Sequence, residues 1–306
     1  MKKTIGWFLA VLLLTVSLAW AGQMESILAK GEIVVSLNRN TPPFCMESKG
    51  ELIGLDVDLA RLMADALGVK VKFIFPDTYE EQIPKLLACD SDIIIAAMTR
   101  TPERGLKVNF SAPYFEVTQA ALVHAKLART QTQSYFDLVD IPGVRIGVKQ
   151  QTTMERFARK LFAAEQIKTY ASHDEAVAAL LKAEVDATVH DSPYVMVWQK
   201  SHPEYAAKIK ALLAPSTKEY YGFAIRKGDA DFLSWLNLFI AQAENDGTMD
   251  WLKHTYLVEM AWLGQGQTKG AAMDKEHLMR NKFLSQKMEQ LQRQRREEMK
   301  KSGAQY

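Results

Sequence analysis

Apolar positions along the chain fall into two rhythms. Short β-branched or continuous apolar runs occur at residues 32–37, 69–75, 93–97, 118–125, 144–148, 185–191 and 220–225, and these read as strands, several buried on both faces. Between them the spacing changes to three and four. Val57, Leu59, Leu62, Met63 and Leu67 make one side of a helix that Gly68 ends; residues 79–87, a segment opening over 150–155 and running through Phe162, and an amphipathic 172–181 are also read as helices. Near the end, Phe232, Trp235, Leu236, Phe239 and Ile240 repeat it, and 249–256 form a last short helix. Strands alternating with helices predict an α/β fold with mostly parallel sheets. In such sheets ligands bind outside the carboxyl ends of the strands.

One stretch, residues 92–114, concentrates the chemistry. An apolar strand, Ile93-Ile94-Ile95-Ala96-Ala97, gives way to Thr99, Arg100, Thr101, Pro102, Glu103 and Arg104. Pro102 suits the first turn of a helix and Thr101 the N-cap before it. Hydroxyls, helix N–H groups and an arginine gathered at one sheet edge make a site for a carboxylate, because guanidinium presents a planar fork to two oxygens. The competing reading is that Arg104 pairs with a surface acid.

The ends of the chain differ from its body. Lys2 and Lys3, the apolar residues 5–18 and the small-x-small Ala19-Trp20-Ala21 predict a cleavable signal peptide over 1–21, hence export. The apolar run is shorter than the roughly 20 residues that span a bilayer. Beyond Gly264 a linker leads into a Gln/Lys/Arg/Glu-rich helical tail over 265–306, read as solvated, with self-association or docking on an acidic surface as alternatives. The tail holds ten Lys/Arg against five Asp/Glu, so an overall +2 leaves the body mildly acidic, which argues against nucleic acid as partner. Export permits a bridge between the two cysteines, Cys45 and Cys89, without requiring one. The histidines are scattered, and neither a metal nor a cofactor is expected.

M-T-x-T-P-E-R followed by V-x-F-S-x-P-Y, over residues 98–114, resembles the signature of the family 3 extracellular solute-binding proteins, receptors of ABC importers for polar amino acids. Thr41-Pro42-Pro43-Phe44, the G-x-D-V-D-L of 54–59 and the V-D-A-x-V-x-D of 185–191 continue the likeness over roughly 31–257. The resemblance implies a type II periplasmic binding fold of two lobes with two hinge crossovers. Lobe 1 is then 22–117 with a return segment 218–264, and lobe 2 is 118–217. It implies that Arg104, supported by Thr99, holds a ligand α-carboxylate and that the Ala97 carbonyl faces the ammonium. It places Asn38, Thr41 and Tyr79 at the ligand side chain, Thr152 and Thr153 on the carboxylate from the second lobe, and Asp191 on the ammonium. Gln151 stands where the family often has glycine. For Thr152, Thr153 and Asp191 the alternative is simple helix capping, and Asp56 and Asp58 are read as cap and dipole residues, not a catalytic pair.

The function implied is a periplasmic, monomeric receptor that captures an amino acid and delivers it to an inner-membrane ABC permease. The rival is an enzyme on the same fold, such as a dehydratase of a small carboxylic acid, in which Arg104 would still hold the carboxylate.

Overall fold

In the computed structural model, which describes residues 22–48, 50–128, 132–215 and 218–263, the two rhythms become fourteen short strands and their connecting helices. In chain order the strands are β1 (Glu32–Ser36), β2 (Met46–Ser48), β3 (Glu51–Ile53), β4 (Lys70–Ile74), β5 (Ile93–Ile94), β6 (Asn109–Phe110), β7 (Phe115–Val117) and β8 (Gln119–His124). They continue as β9 (Ile146–Lys149), β10 (Ile167–Tyr170), β11 (Ala187–Asp191), β12 (Ile209–Leu212), β13 (Glu219–Tyr221) and β14 (Ala224–Ile225). The signal-peptide and tail readings lie outside the described residues. Those described group into two compact units, one built from 22–38, 59–115 and 220–239, the other from 39–58, 116–219 and 240–263.

The first unit carries a sheet of order β4-β1-β5-β14-β6. β1 pairs in parallel with β4 and β5, while β14 runs antiparallel to both β5 and β6. One strand of the five therefore opposes the rest. Ile94, Ala96, Met98, Val108 and Ala224 pack with Leu86 beneath this edge. The run at 93–97 is strand for only two residues: Ala97 turns the chain with φ +46°, so the backbone bulges before Thr99. Asp92 fastens the strand's start, accepting from the Val34 N–H at 2.9 Å and pairing with Arg226 at 3.4 Å.

The second unit repeats the plan with the order β10-β9-β11-β8-β12. β9 pairs in parallel with β10 and β11, and β8 is the reversed strand between β11 and β12. Apolar side chains cover both faces. Val123, Tyr135, Ile146, Val148 and Val189 lie on one; Leu122, Val177, Leu180, Val195 and Trp198 lie on the other. β2 and β3 pair as an antiparallel hairpin. Gly54, at φ +140°, follows it, and a Cβ there would sit 2.1 Å from the Phe44 carbonyl oxygen, so only glycine fits.

Asp56 and Asp58 occupy the first turn of helix Leu55–Leu67, as expected of dipole residues, but both are buried. Asp58 also ties down a distant part of the chain. It accepts a 2.6 Å hydrogen bond from the Tyr256 hydroxyl, which in turn accepts from the Gly54 N–H at 3.2 Å. The chain's last expected helix splits into Thr248–Lys253 and a π-helical turn, His254–Glu259, whose final carbonyls accept from Lys200 Nζ at 3.0 and 3.3 Å. Cys45 is buried and Cys89 exposed; both are free thiols, and burial pushes the Cys45 thiol up to about 12.

Within the second unit, His173 and His190 share a 2.8 Å hydrogen bond between their Nδ1 atoms, and His190 Nε2 meets Thr188 Oγ1 at 2.8 Å. Burial drops His173 to about 3, and His190 lies well below its ordinary value for the same reason. Both rings are thus neutral in the folded state and protonate in the unfolded chain from about 6.5 downward. Unfolded protein then binds more protons, so stability falls as pH drops below that value, by up to about 1.4 kcal/mol per pH unit for each ring. Urea unfolding between pH 7 and pH 5 should show this loss, and it should flatten in the His173→Gln/His190→Gln double variant.

Candidate functional site

Two groups of side chains stand at the carboxyl ends of parallel strands, one group in each unit. In the first unit, β1 is followed by Leu37 and Asn38, and its neighbour β5 leads through Ala97 to Thr99 and the helical turn Pro102–Gly105. Thr101 caps that turn as the sequence predicts, its hydroxyl accepting from the Arg104 N–H at 3.3 Å. Capping aims the arginine back along its own strand. Arg104 Nη1 donates to the Thr99 carbonyl at 2.8 Å, and the guanidinium carbon lies 5.5 Å from the centre of the Tyr79 ring. Thr99 is buried, and its backbone bridges to Tyr221. The alternative reading of Arg104 fails here: among the described residues it has no carboxylate partner. A half-buried guanidinium held by a carbonyl and an aromatic face, with no counter-charge, is a ready receptor for an anion.

Arg104, Thr99 and Tyr79 are therefore brought together, and Asn38 and Ala97 follow neighbouring strands at the same sheet edge. Thr41 belongs to the other of the two units. It closes a tight turn in the second unit, donating its N–H to the Cys45 carbonyl at 2.8 Å and accepting from the Cys45 N–H at 3.0 Å. Arg39, beside it, is paired with Glu47 at 3.3 Å, both side chains about half exposed.

In the second unit, β9 runs out into helix Thr153–Leu161. Thr152 is its N-cap, accepting from the Glu155 N–H at 3.2 Å and donating to the Lys149 carbonyl at 2.7 Å, so its hydroxyl is occupied locally. Thr153, the first helical residue, is buried, and its hydroxyl meets only the weakly accepting sulfur of Met154, at 3.4 Å. Gln151, standing where a glycine is usual, adopts φ +59° and donates its N–H to Glu155 at 2.5 Å. The left-handed turn is kept without glycine. Asp191 ends β11, the strand next to β9, and makes no side-chain cap on helix Ser192–Ser201, which removes the capping explanation for it.

Three further residues, one in the first unit and two in the second, carry no local sequence signal. Gln82, fully buried, donates its amide to the Leu37 carbonyl at 2.9 Å and so braces the end of β1. Gln119 and Glu219 are hydrogen-bonded at 2.7 Å across a hundred residues of chain. Only contacts in the fold reveal them.

The model of the bacterial extracellular solute-binding proteins, family 3, matches residues 33–259. The chain belongs to that family. A solved relative, the binding component of an ABC transporter from Wolinella succinogenes DSM 1740 complexed with lysine, is 39% identical at a TM-score of 0.72, covering 77% of this chain and all of its own. An ancestral amino-acid-binding protein described as a precursor of cyclohexadienyl dehydratase is 34% identical at a TM-score of 0.67, covering 78% of this chain and 100% of its own. Among curated relatives, ABC transporter arginine-binding protein 1 of Escherichia coli (strain K12) is 27% identical over 225 residues, covering 72% of this chain and 88% of itself. The family is one of extracellular binding proteins, and the two-lobe α/β fold expected from the resemblance is the one these neighbours share.

The left-handed backbone at Ala97 yields a stability test. A β-branched side chain is crowded at φ +46°, so Ala97→Val should destabilise the protein by roughly 1–2 kcal/mol, while Ala97→Gly should not. Thermal melts of the two variants beside wild type decide it.

Proposed function

We propose that this chain is a receptor that captures a free amino acid outside the cytoplasm and presents it to the membrane permease of an ABC importer. The observation that carries the reading is Arg104, held in place by Thr99 and Tyr79 with no carboxylate of the described residues to neutralise it. An α-carboxylate supplies the missing charge through a two-pronged hydrogen bond. Asp191, at the end of β11, takes the α-ammonium, and the helix N-terminus at Thr153 adds N–H groups to the carboxylate. Asn38 and Tyr79 face the ligand side chain, with the Ala97 carbonyl turned toward the ammonium. Thr152 serves by fixing the turn that presents Thr153.

A ligand that contacts both sets of residues favours whichever arrangement of the protein allows both at once, and that differential affinity is what a permease reads. The bodies that move are, on this reading, 22–117 with 218–264 and 118–217. The leader read in residues 1–21 delivers the receptor to the periplasm. The relatives that bind lysine or arginine fit a binding role over an enzymatic one for this chain.

Calorimetry with the common amino acids tests the reading. Arg104→Ala should weaken binding by roughly 2–5 kcal/mol, since it strands a desolvated carboxylate, and Arg104→Lys should fall between, for want of the second prong. Equal affinity in wild type and Arg104→Ala would refute the assignment, as would conversion of a bound carboxylic acid seen by mass spectrometry.

A further inference from the structure

The polar contacts beside Asp191 continue to a second acid. In the antiparallel pairing of β8 with β11, Gln119 stands directly opposite Asp191. Opposed residues share a face, with Cβ atoms about 4.5–5.5 Å apart. Gln119 is 1% exposed, and its Nε2 donates to Glu219 Oε1 at 2.7 Å. The other carboxylate oxygen of Glu219 is buried and has no hydrogen-bond partner among the described residues, and no cation there pairs with it. The adjacent lysine does not help: Lys218 turns outward to Glu116 at 3.1 Å.

A carboxylate oxygen withdrawn from water and given no donor favours any cation that can approach it. Charge counting then separates ligand classes. In the receptor reading, on which this inference rests, Arg104 neutralises the α-carboxylate and Asp191 the α-ammonium. A ligand with a neutral side chain leaves Glu219 without a counter-charge, whereas one with a second positive group balances it. We propose that Glu219 is a specificity-determining residue whose unpartnered carboxylate oxygen, on the Asp191 side of the site, selects amino acids with cationic side chains over neutral ones. Gln119 acts as the spacer that holds the two acids apart and orients Glu219.

The experiment is calorimetry with L-lysine, L-arginine and L-glutamine on wild type, Glu219→Gln and Glu219→Asp. Glutamine at 219 keeps an oxygen for the Gln119 amide and deletes only the charge, so it separates electrostatics from scaffolding. Wild type should bind lysine or arginine at least about tenfold more tightly than glutamine, and Glu219→Gln should shrink that ratio by about tenfold. Glu219→Asp, which retains the charge, should keep most of the ratio and serves as the readout should Glu219→Gln fail to fold by circular dichroism. An unchanged ratio in Glu219→Gln, a ratio lost equally in Glu219→Asp, or a wild type that prefers glutamine overturns the proposal and leaves the receptor reading standing. Asp191→Asn distinguishes the two: it should weaken all three ligands, and if it weakens none, the ammonium assignment falls and this inference with it.

Discussion

An arginine without a counter-ion is the constraint around which the first unit is arranged. Folding a half-buried guanidinium with no carboxylate partner is unfavourable unless other groups replace its lost water. The Thr99 carbonyl and the Tyr79 ring do so in part, and both depend on structure further away. Thr99 is held because its strand bulges at Ala97 and then rejoins Tyr221. The guanidinium is aimed because Thr101 caps the turn that carries it. Together these details fix one guanidinium, with no carboxylate partner among the described residues, at the carboxyl edge of a sheet. A protein that holds charge in this state has kept binding energy for something that arrives later.

The second unit carries a carboxylate at the ends of its parallel strands. Its parallel strands β9 and β11 end in a helix N-terminus and in Asp191, a carboxylate that does not cap the helix after it. The buried His173–His190 pair includes the residue immediately before Asp191 in the chain, and its two neutral rings fill the sheet face without adding charge near that carboxylate. Some polar groups buried here are paired locally, as Tyr194 is with Asp174 at 2.8 Å.

Much of this was written locally in the chain. The alternation of strand and helix, the Thr101–Pro102 cap and the position of Arg104 all follow from spacing and residue chemistry within a dozen residues. The family resemblance named Asp191 and the threonine pair as candidates. What the sequence could not display was any relation between distant residues. The reversed strands β8 and β14 look like any other apolar run, the bond from Tyr256 to Asp58 joins residues 198 apart, and Gln119 with Glu219 are ordinary polar residues until the fold joins them. Thr41 shows the converse: a motif residue whose backbone closes a turn and whose place in the site depends on more than its position in the motif.

The reversed strand in each sheet has a consequence for how the chain is made. β14 completes the first sheet by pairing Ala224 with Ile94 and Phe110, so that sheet stays open until the ribosome has added the entire second sheet. Long-separated pairings of this kind close slowly. The first sheet therefore cannot close early in synthesis, whereas the second, built from the consecutive strands β8 to β12, can.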